Sequence, residues 1–220
     1  MPSPAAPASA PVPDAALVSE LRRLAERVAA EAADLVRTTS PAHVEVAATK
    51  SSPVDVVTAM DAASEALLRR LILEARPDDA ILGEEDGHVA GTSGLTWVVD
   101  PIDGTVNYLY GIPAFAVSVA VVAGSGDPEE WEALAGCVVR VPDGRSWSAG
   151  RGEGATVDGK PIHVNEPTDL SLSLVGTGFG YASERRAAQA QVLTQVLPRV
   201  RDIRRIGSAA LDLCMVAEGQ

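Results

Sequence analysis

The fold follows from one stretch of the sequence, Thr96-Trp97-Val98-Val99-Asp100-Pro101-Ile102-Asp103-Gly104-Thr105-Val106-Asn107. Its first residues are apolar and rich in strand formers, which predicts a buried β-strand. The strand is expected to break at Pro101, so that Asp100 and Asp103 flank Ile102 at the mouth of a turn. Two carboxylates so close together repel each other unless a cation lies between them. Carboxylates and a free backbone carbonyl at Ile102 are hard oxygen ligands of the kind that Mg²⁺ prefers.

The residues that follow these carboxylates suit an anion. Gly104 lets the backbone approach a ligand closely, and Thr105 adds a hydroxyl group. If a helix begins here, the amides of Gly104 and Thr105 point towards the anion. The alternative is an ordinary turn in which the aspartate side chains bond their own backbone.

A second acidic cluster favours the metal site over the ordinary turn. The run Ile81-Leu82-Gly83-Glu84-Glu85-Asp86-Gly87 lies just upstream and is another short apolar segment that ends in carboxylates. Two neighbouring strands that end in acidic residues at one edge of a sheet would form a metal cage. The two runs together therefore predict a cation site to which both strands contribute.

Composition limits the function classes. The chain has 220 residues, enough for one or two domains, and its 46% hydrophobic and 22% charged content is ordinary for a globular protein. The net charge of −12 argues against nonspecific binding to nucleic acid or to an anionic membrane. Phosphate substrates remain compatible, because bound cations reverse the sign of the charge locally. No apolar run approaches the length of a membrane span.

The cysteines and the chain start bear on the compartment. Cys137 and Cys214 lie in apolar runs and are predicted to be buried free thiols, which fits a cytoplasmic protein. Residues 1–13 are rich in Pro, Ala and Ser without a basic start, which predicts a disordered leader rather than a signal peptide. The scattered histidines have no ligand spacing and are assigned to the surface or to loops: His43, His88 and His163.

The first two thirds of the chain are predicted to combine helices with a sheet. A helix with regular apolar spacing follows Asp14, which suits an N-cap position. Residues 38–53 are predicted to be a loop, and a capping box of Thr58 and Asp61 starts the next helix. Strands are expected at 80–83, 96–99, 115–123, 134–141, 145–149 and 155–157. Short glycine-containing turns between several of these strands predict a largely antiparallel sheet.

Strand and helix patterns continue after residue 165. A strand is predicted at 172–175, followed by a helix from Ser183 to about Val200. The residues of this helix that are predicted to face inward are Val192, Leu193, Val196 and Leu197. A helix of small residues is expected to begin at Gly207, where close approach to a ligand or a neighbouring helix is easy.

Two further features of this region carry weaker signals. The glycine-rich loop 176–180 lacks the Gly-Lys-Ser/Thr of a nucleotide-binding loop, so it is weak support for a phosphate site. Arg201, Arg204 and Arg205 form a basic cluster. We interpret the cluster as a solvated face, with contacts to a partner or substrate as the alternative.

These motifs closely resemble the inositol monophosphatase family of Mg²⁺-dependent phosphatases. The matching segments are Lys50 to Asp55 with Val57-Thr58 and Asp61, Gly83-Glu84-Glu85, Trp97 to Tyr108, Gly111-Ile112-Pro113 and Ile206 to Cys214. They cover most of the chain, and the Asp-Pro-Ile-Asp-Gly-Thr motif is highly specific in this context. The resemblance implies an α/β (α+β) fold with αβαβα layers and a mainly antiparallel N-terminal sheet.

The resemblance also implies a set of metal ligands. Glu84, Asp100 and the Ile102 carbonyl would hold a first Mg²⁺, and Asp100 with Asp103 would hold a second. Glu84 would also contact a third, mostly hydrated ion, so two or three ions are expected. A water activated by metal would attack the phosphorus in line, without a covalent phospho-enzyme.

The same resemblance implies roles around the substrate. Glu84, Thr105 and Asp61 are the expected catalytic residues. Asp61 would help Thr105 position the attacking water, although the local sequence is also satisfied by a first-turn carboxylate that the helix dipole favours. Substrate would contact Asp103, the amides of Gly104 and Thr105, and, through ring hydroxyls, Ser208 and Ala209. Lys50 is a candidate phosphate contact.

The expected reaction is hydrolysis of myo-inositol monophosphate to inositol and phosphate. Alternatives within the same chemistry are histidinol phosphate, fructose 1,6-bisphosphate and 3′-phosphoadenosine 5′-phosphate. A non-catalytic regulatory or binding protein of the same fold is the alternative from another class. The resemblance further implies a homodimer of the full-length protein.

The sequence departs from the family pattern in one respect. The family carries a further metal carboxylate in a Trp-Asp motif well after the helix that begins near Gly207, and the sequence up to Gln220 contains no such segment. We therefore expect a truncated domain over 14–220, with 14–165 as the N-terminal half and 166–220 as the start of an incomplete C-terminal half. Such a chain is predicted to expose an apolar face and to have weak or absent turnover.

Overall fold

The computed structural model describes residues 14–40, 44–49, 56–124, 128–166 and 169–220. The predicted leader 1–13, His43 and Lys50 lie outside the described residues. The helices are α1 (Ala15–Thr39), α2 (Ala59–Ala75), α3 (Thr105–Leu109), α4 (Ser183–Val196) and α5 (Ala209–Ala217). The strands are β1 (Val46–Thr49), β2 (Val56–Thr58), β3 (Ala80–Gly83), β4 (His88–Val89), β5 (Leu95–Asp103), β6 (Ala116–Ala123), β7 (Glu132–Arg140), β8 (Ser146–Gly150), β9 (Gly154–Val157), β10 (Lys160–Ile162), β11 (Leu174–Gly176) and β12 (Asp202–Arg204).

Eight strands form the main sheet in the order β10-β9-β8-β7-β6-β5-β3-β4. All neighbouring pairs in it are antiparallel except β3 and β5, which run parallel. The strands β1 and β2 form a small antiparallel sheet, and β11 and β12 form a small parallel one. The predicted α/β fold with a mainly antiparallel sheet is confirmed.

Helices cover both faces of the main sheet. The side chain of Asp14 caps α1 by accepting a hydrogen bond from the Ala16 amide. The apolar face of α1 packs, together with α2, in the same core cluster as Val117 of β6. On the opposite face, Leu211 of α5 joins Ala116 in a smaller cluster. Because successive residues of a strand point to opposite faces, Ala116 and Val117 belong to different layers.

Two predictions about the first half were wrong in detail. The predicted loop 38–53 overlaps both the end of α1 and the strand β1. The strand that was expected to end at Val99 continues through Pro101. Pairing with β3 stops at Val99, and the pairing of β5 with β6 is irregular between Asp100 and Asp103. Pro101 therefore lies where a missing amide proton is tolerated.

Three predictions about the second half also need correction. Helix α4 ends at Val196, and Val192 (61% exposed) and Leu197 (54% exposed) do not face a core. The strand predicted at 172–175 is displaced to β11, and it pairs with β12, which the sequence did not predict. The helix expected to begin at Gly207 begins at Ala209 instead, because Gly207 has a positive φ of 97°.

Both cysteines are free and buried, as predicted. Of the three histidines, His88 and His163 lie in the described part of the chain and are exposed. Across the described ranges, no helix combines the length and the apolar character needed to cross a membrane.

Candidate active site

The two acidic runs meet at one edge of the main sheet. Strands β3 and β5 are parallel and pair Gly83 with Val99, so Glu84 and Asp100 follow that pair side by side. Their carboxylates share a cavity of about 80 Å³. This acidic cavity is lined, among others, by Glu84, Asp100, Ile102, Asp103, Gly104 and Thr105. The structure thus brings together the residues that the two sequence runs predicted.

Burial and neighbouring carboxylates disfavour the charged form of Asp100. Its pKa is raised to about 9 by burial, by the neighbouring charges of Glu84 and Asp103, and by a hydrogen bond with Glu84. The Ile102 amide opposes this shift by donating to Asp100 Oδ1 over 3.1 Å. A cation at this position would relieve the repulsion that raises the pKa.

Asp103 is turned partly towards helix α5. Its Oδ2 accepts hydrogen bonds of 2.6 Å from Ser208 Oγ and 2.6 Å from the Ala210 amide. In keeping with this orientation, no group of three or more acidic, histidine or cysteine side chains among the described residues encloses a metal position by itself. The oxygen donors of the acidic cavity nevertheless fit a hard cation that completes its shell with water and substrate oxygens.

Asp61 makes the contacts expected under both interpretations considered for it. It forms the capping box of α2 by accepting a hydrogen bond from the Thr58 amide over 2.8 Å. Its other oxygen accepts from Thr105 Oγ over 3.1 Å, the contact that the functional interpretation required. Asp61 is fully buried, and burial raises its pKa although hydrogen bonds from Thr58 and Thr105 partly offset this.

Gly104 is required by the backbone at the base of the acidic cavity. It has a φ of 100°, and a Cβ there would lie 3.0 Å from the Ala114 carbonyl oxygen. Helix α3 begins directly after it, which meets the condition set for the amides of Gly104 and Thr105 to point towards an anion. Its first residue, Thr105, also lies 3.0 Å from the Ile102 carbonyl oxygen. The single proton of this hydroxyl therefore has two acceptors, Ile102 and Asp61.

A larger cavity of about 440 Å³ adjoins the acidic cavity. The two share Asp103, Tyr181, Arg205 and Gly207. The adjoining cavity also contains the predicted substrate residues Ser208 and Ala209. The Ser208 hydroxyl is buried and bonds Asp103, whereas Ala209 is exposed.

Sequence reasoning missed Tyr181 and Asp212, and it gave a substrate contact of Arg205 only as the alternative to a solvated face. The basic cluster separates in the structure, since Arg204 pairs with Asp202 over 2.6 Å while Arg205 lines both cavities. Asp212 Oδ1 is buried without a hydrogen-bond partner in the described part of the chain. Burial and the charge of Asp103 raise the pKa of Asp212, and Arg205 opposes the shift. Nearness to the Gly207-Ser208 motif is the only sequence signal that could have identified Arg205 and Asp212.

Comparison with known proteins agrees with this architecture. The model of the inositol monophosphatase family matches residues 17–220. The inositol-1-monophosphatase of Mycobacterium leprae is 47% identical, over 91% of this chain and 73% of that protein. The Nus factor SuhB of Pasteurella multocida is 33% identical, over 92% of this chain and 74% of that protein. The crystal structure of the extragenic suppressor protein SuhB from Bartonella henselae matches with a TM-score of 0.79 at 31% identity, over 91% of this chain and 75% of that chain.

The layered α/β fold is therefore shared with solved structures over nearly the whole chain. The chain belongs to the inositol monophosphatase family, which is generally metal-dependent.

Proposed function

We propose that this protein is a metal-dependent phosphomonoesterase that hydrolyses myo-inositol monophosphate. One observation carries the proposal. The parallel pairing of β3 with β5 sets Glu84 beside Asp100, in a cavity where the charge on Asp100 is strongly disfavoured without a cation. A phosphate ester is the matching substrate, because its oxygens complete the shell of a cation that protein carboxylates hold only in part. The name of the Mycobacterium leprae relative supports the choice of inositol monophosphate.

The oxygen donors of the acidic cavity suit Mg²⁺, and we propose two or three ions. Glu84, Asp100 and the Ile102 carbonyl would hold the first, and Asp100 with Asp103 the second. Glu84 would also contact a third. When bound, such ions polarise the phosphate, make a water more acidic and neutralise the leaving oxygen.

The chain's own residues position the water and the phosphate. When Thr105 Oγ donates its proton to Asp61, 3.1 Å away, its lone pairs are free to accept a hydrogen bond from a water in the acidic cavity. Asp61 is held by hydrogen bonds from Thr58, which keeps its other oxygen available to accept from Thr105. The amides of Gly104 and Thr105 would hold the phosphate oxygens.

The adjoining cavity would hold the inositol ring. Its charged residues differ in sign, since Arg205 offers donors while Asp212 Oδ1 is an unpaired acceptor. A ring that carries several hydroxyl groups satisfies both, because each hydroxyl donates and accepts. Asp103 lines both cavities and so lies where the ring would meet the phosphate, and Ala209 lines the adjoining cavity.

Phosphate release tests the proposal. The purified protein is incubated with myo-inositol 1-phosphate with and without Mg²⁺, beside histidinol phosphate, fructose 1,6-bisphosphate and 3′-phosphoadenosine 5′-phosphate. Release is expected to be slow, to require Mg²⁺ and to be fastest from the inositol ester. Binding of Mn²⁺ as a spectroscopic substitute for Mg²⁺ is measured in parallel, so that metal binding is recorded independently of turnover.

Two results would contradict the proposal in different ways. A protein that binds neither cation has no metal site of the proposed kind. A protein that binds metal but releases phosphate from none of the four esters would instead favour the regulatory or binding role.

We also propose that the protein acts in the cytoplasm as a homodimer. The free, buried thiols of Cys137 and Cys214 are compatible with a reducing compartment. Sedimentation at several protein concentrations tests the dimer, and a single monomeric species at all of them would contradict it.

A further inference from the structure

Helix α2 carries a buried carboxylate that lies outside the acidic cavity. Glu65 is fully buried, and its two oxygens accept hydrogen bonds from backbone amides of the loop after β3. The Glu85 amide donates to Glu65 Oε2 over 2.8 Å, and the Asp86 amide donates to Glu65 Oε1 over 2.9 Å. These two residues directly follow Glu84, which lines the acidic cavity.

Arg69 completes the arrangement one turn further along α2. Its guanidinium donates to Glu65 Oε1 from Nε over 2.8 Å, with Nη2 at 2.7 Å. Nη2 also donates to the Gly87 carbonyl over 2.5 Å. The loop 83–87 is therefore attached to the Glu65–Arg69 pair through Glu85, Asp86 and Gly87.

The contact is so close that it dictates the residue before Glu84. A Cβ at Gly83 would lie 2.1 Å from Glu65 Oε1 and 2.6 Å from Arg69 Nη2. Only glycine leaves room for the pair at this position. The Glu65–Arg69 pair thus contacts the backbone on both sides of Glu84: it packs against Gly83 before it and hydrogen-bonds residues 85–87 after it.

Stability alone is a poor explanation for this ion pair. Well-packed apolar residues of similar volume often replace a buried ion pair without loss of stability. A buried carboxylate that accepts two backbone amides does what an apolar residue cannot, because it fixes the direction of the loop. Helix α2 also carries Asp61, which holds Thr105, so one helix fixes partners on both sides of the acidic cavity.

We propose that the Glu65–Arg69 pair is a positioning unit that holds Glu84 in place for metal binding. The inference rests on the proposed function, since it concerns how the metal site of that function is formed. Glu65 does not touch the metal or the substrate. It acts through the backbone of the loop that presents Glu84.

The test compares two glutamates on the same helix. Glu65→Gln places an amide donor against backbone amide donors, which should loosen the loop without changing the size of the side chain. The matched control is Glu74→Gln, which breaks the exposed Arg70–Glu74 pair of 2.9 Å with the same i,i+4 spacing. Titration with Mn²⁺ is expected to show binding weakened by about tenfold or more in Glu65→Gln and unchanged in the control.

Amide hydrogen exchange supplies a reading that does not depend on metal. The amides of Glu85 and Asp86 should exchange faster in Glu65→Gln, because their acceptor is weakened. In activity assays of Glu65→Gln, the Mg²⁺ concentration that gives half-maximal activity should rise, while kcat at saturating Mg²⁺ should be close to that of the unaltered protein. A purely structural role of Glu65 would not produce this division between metal affinity and kcat.

A second variant covers the case in which Glu65→Gln does not fold. Arg69→Lys keeps the charge beside Glu65 but loses the guanidinium, whose Nε and Nη2 contact Glu65 and whose Nη2 also donates to the Gly87 carbonyl. It should weaken Mn²⁺ binding less than Glu65→Gln does. Faster exchange at Glu85 and Asp86 with unchanged Mn²⁺ affinity would overturn the positioning role and leave the proposed function intact. Absence of Mn²⁺ binding in the unaltered protein would overturn both.

Discussion

The part of the chain that carries the main sheet and the part after residue 169 differ in how they are packed. Helix α1 buries a continuous apolar face that includes Leu21, Val28 and Val36, all fully inaccessible. Helix α4 is nearly as regular along its backbone, yet it has no buried residue. The difference teaches that helical pattern and packing are separate properties, since α1 packs in the core of the main sheet whereas α4 buries none of its residues.

Both parts of the chain contribute residues to the candidate active site, but different numbers and kinds of them. The acidic residues and Thr105 lie on or next to β3, β5 and α2, which are densely packed. Arg205, Ser208 and Asp212 come from the second part, which contacts the first chiefly through α5. The sequence predicted an uncovered apolar face in this part, and exposed apolar residues are found there: Leu170, Leu172, Leu174, Leu213 and Val216.

The largest expected effect concerns the packed part of the site. Asp100→Asn removes a charged metal ligand while keeping its size, and we expect phosphate release to fall by at least about a hundredfold because the cation's charge stabilisation is worth several kcal/mol. The measurement is kcat/KM with inositol 1-phosphate. Asp34→Asn, at a side chain 63% exposed, is the matched control and should leave the rate unchanged. Full activity in Asp100→Asn would exclude Asp100 as a ligand.

The packing contrast itself can be measured with two leucines. Leu21→Ala empties a fully buried position and is expected to lower the free energy of unfolding by about 2–5 kcal/mol. Leu197→Ala acts at a side chain that is 54% exposed and should change the free energy of unfolding by less than about 0.5 kcal/mol. Denaturant unfolding of both variants gives the comparison. Equal losses would mean that Leu197 is buried in solution, for example against a second copy.

The sequence predicted the site well where local pattern suffices. The strand run from Thr96 and the acidic ends of both runs placed Glu84 beside Asp100, and the capping box placed Asp61 at the start of α2. The apolar periodicity of α1 likewise identified a helix with a genuine core face.

The rest depended on contacts between residues far apart in the chain. Nothing near Glu65 indicates that its carboxylate binds the loop after Glu84, about one helix and one strand later. The separation of Arg205 from Arg204 likewise depends on Asp202 and on the position of two cavities. Of the inward residues predicted for α4 and its end, Leu193 and Val196 are half-buried, whereas Val192 and Leu197 are exposed, because periodicity cannot report whether a partner surface is present.

The free energy of unfolding is expected to depend on pH through Asp79, an aspartate in the packed part. Burial raises the pKa of Asp79, but hydrogen bonds from Arg76, Ser93 and Trp97 outweigh this and lower it below its ordinary value of 3.8. The charged form therefore stabilises the fold above that value, and the contribution is lost as the pH falls through the lowered pKa. Unfolding of the unaltered protein and Asp79→Asn should differ by a constant amount at neutral pH and converge below about pH 4. A difference that is independent of pH would contradict this.

A substitution at the junction between the two parts, where α5 meets Asp103, should have a smaller effect than those above. Ser208 caps α5 by accepting from the Leu211 amide over 3.3 Å, and its hydroxyl donates to Asp103. Ser208→Ala is expected to cost about 1 kcal/mol of stability, as the loss of an N-cap usually does. Mn²⁺ titration should also show weaker binding, since Asp103 loses one of its two donors. Loss of stability with unchanged Mn²⁺ binding would limit Ser208 to the role of a helix cap.

The smallest effect is expected at the start of α4, and it has the opposite sign. The N-cap position there is Ala182, which has an extended backbone with a φ of −71° but no side chain that can accept a hydrogen bond. Ala182→Ser supplies that acceptor and should stabilise the helix by about 0.5 kcal/mol, at the lower end for caps because α4 is exposed. Hydrogen exchange of the α4 amides is the sensitive measurement, because a poorly packed helix opens locally without global unfolding.

The same substitution separates two explanations of the contrast between α1 and α4. If α4 is limited by its uncapped start, Ala182→Ser should slow exchange in its first turns and leave the α1 amides unchanged. If α4 is limited by the absence of a surface to pack on, the cap should have no effect on exchange beyond the first turn. Helical stability in proteins comes mainly from packing of an apolar face, so we expect slowing that is confined to the first turn.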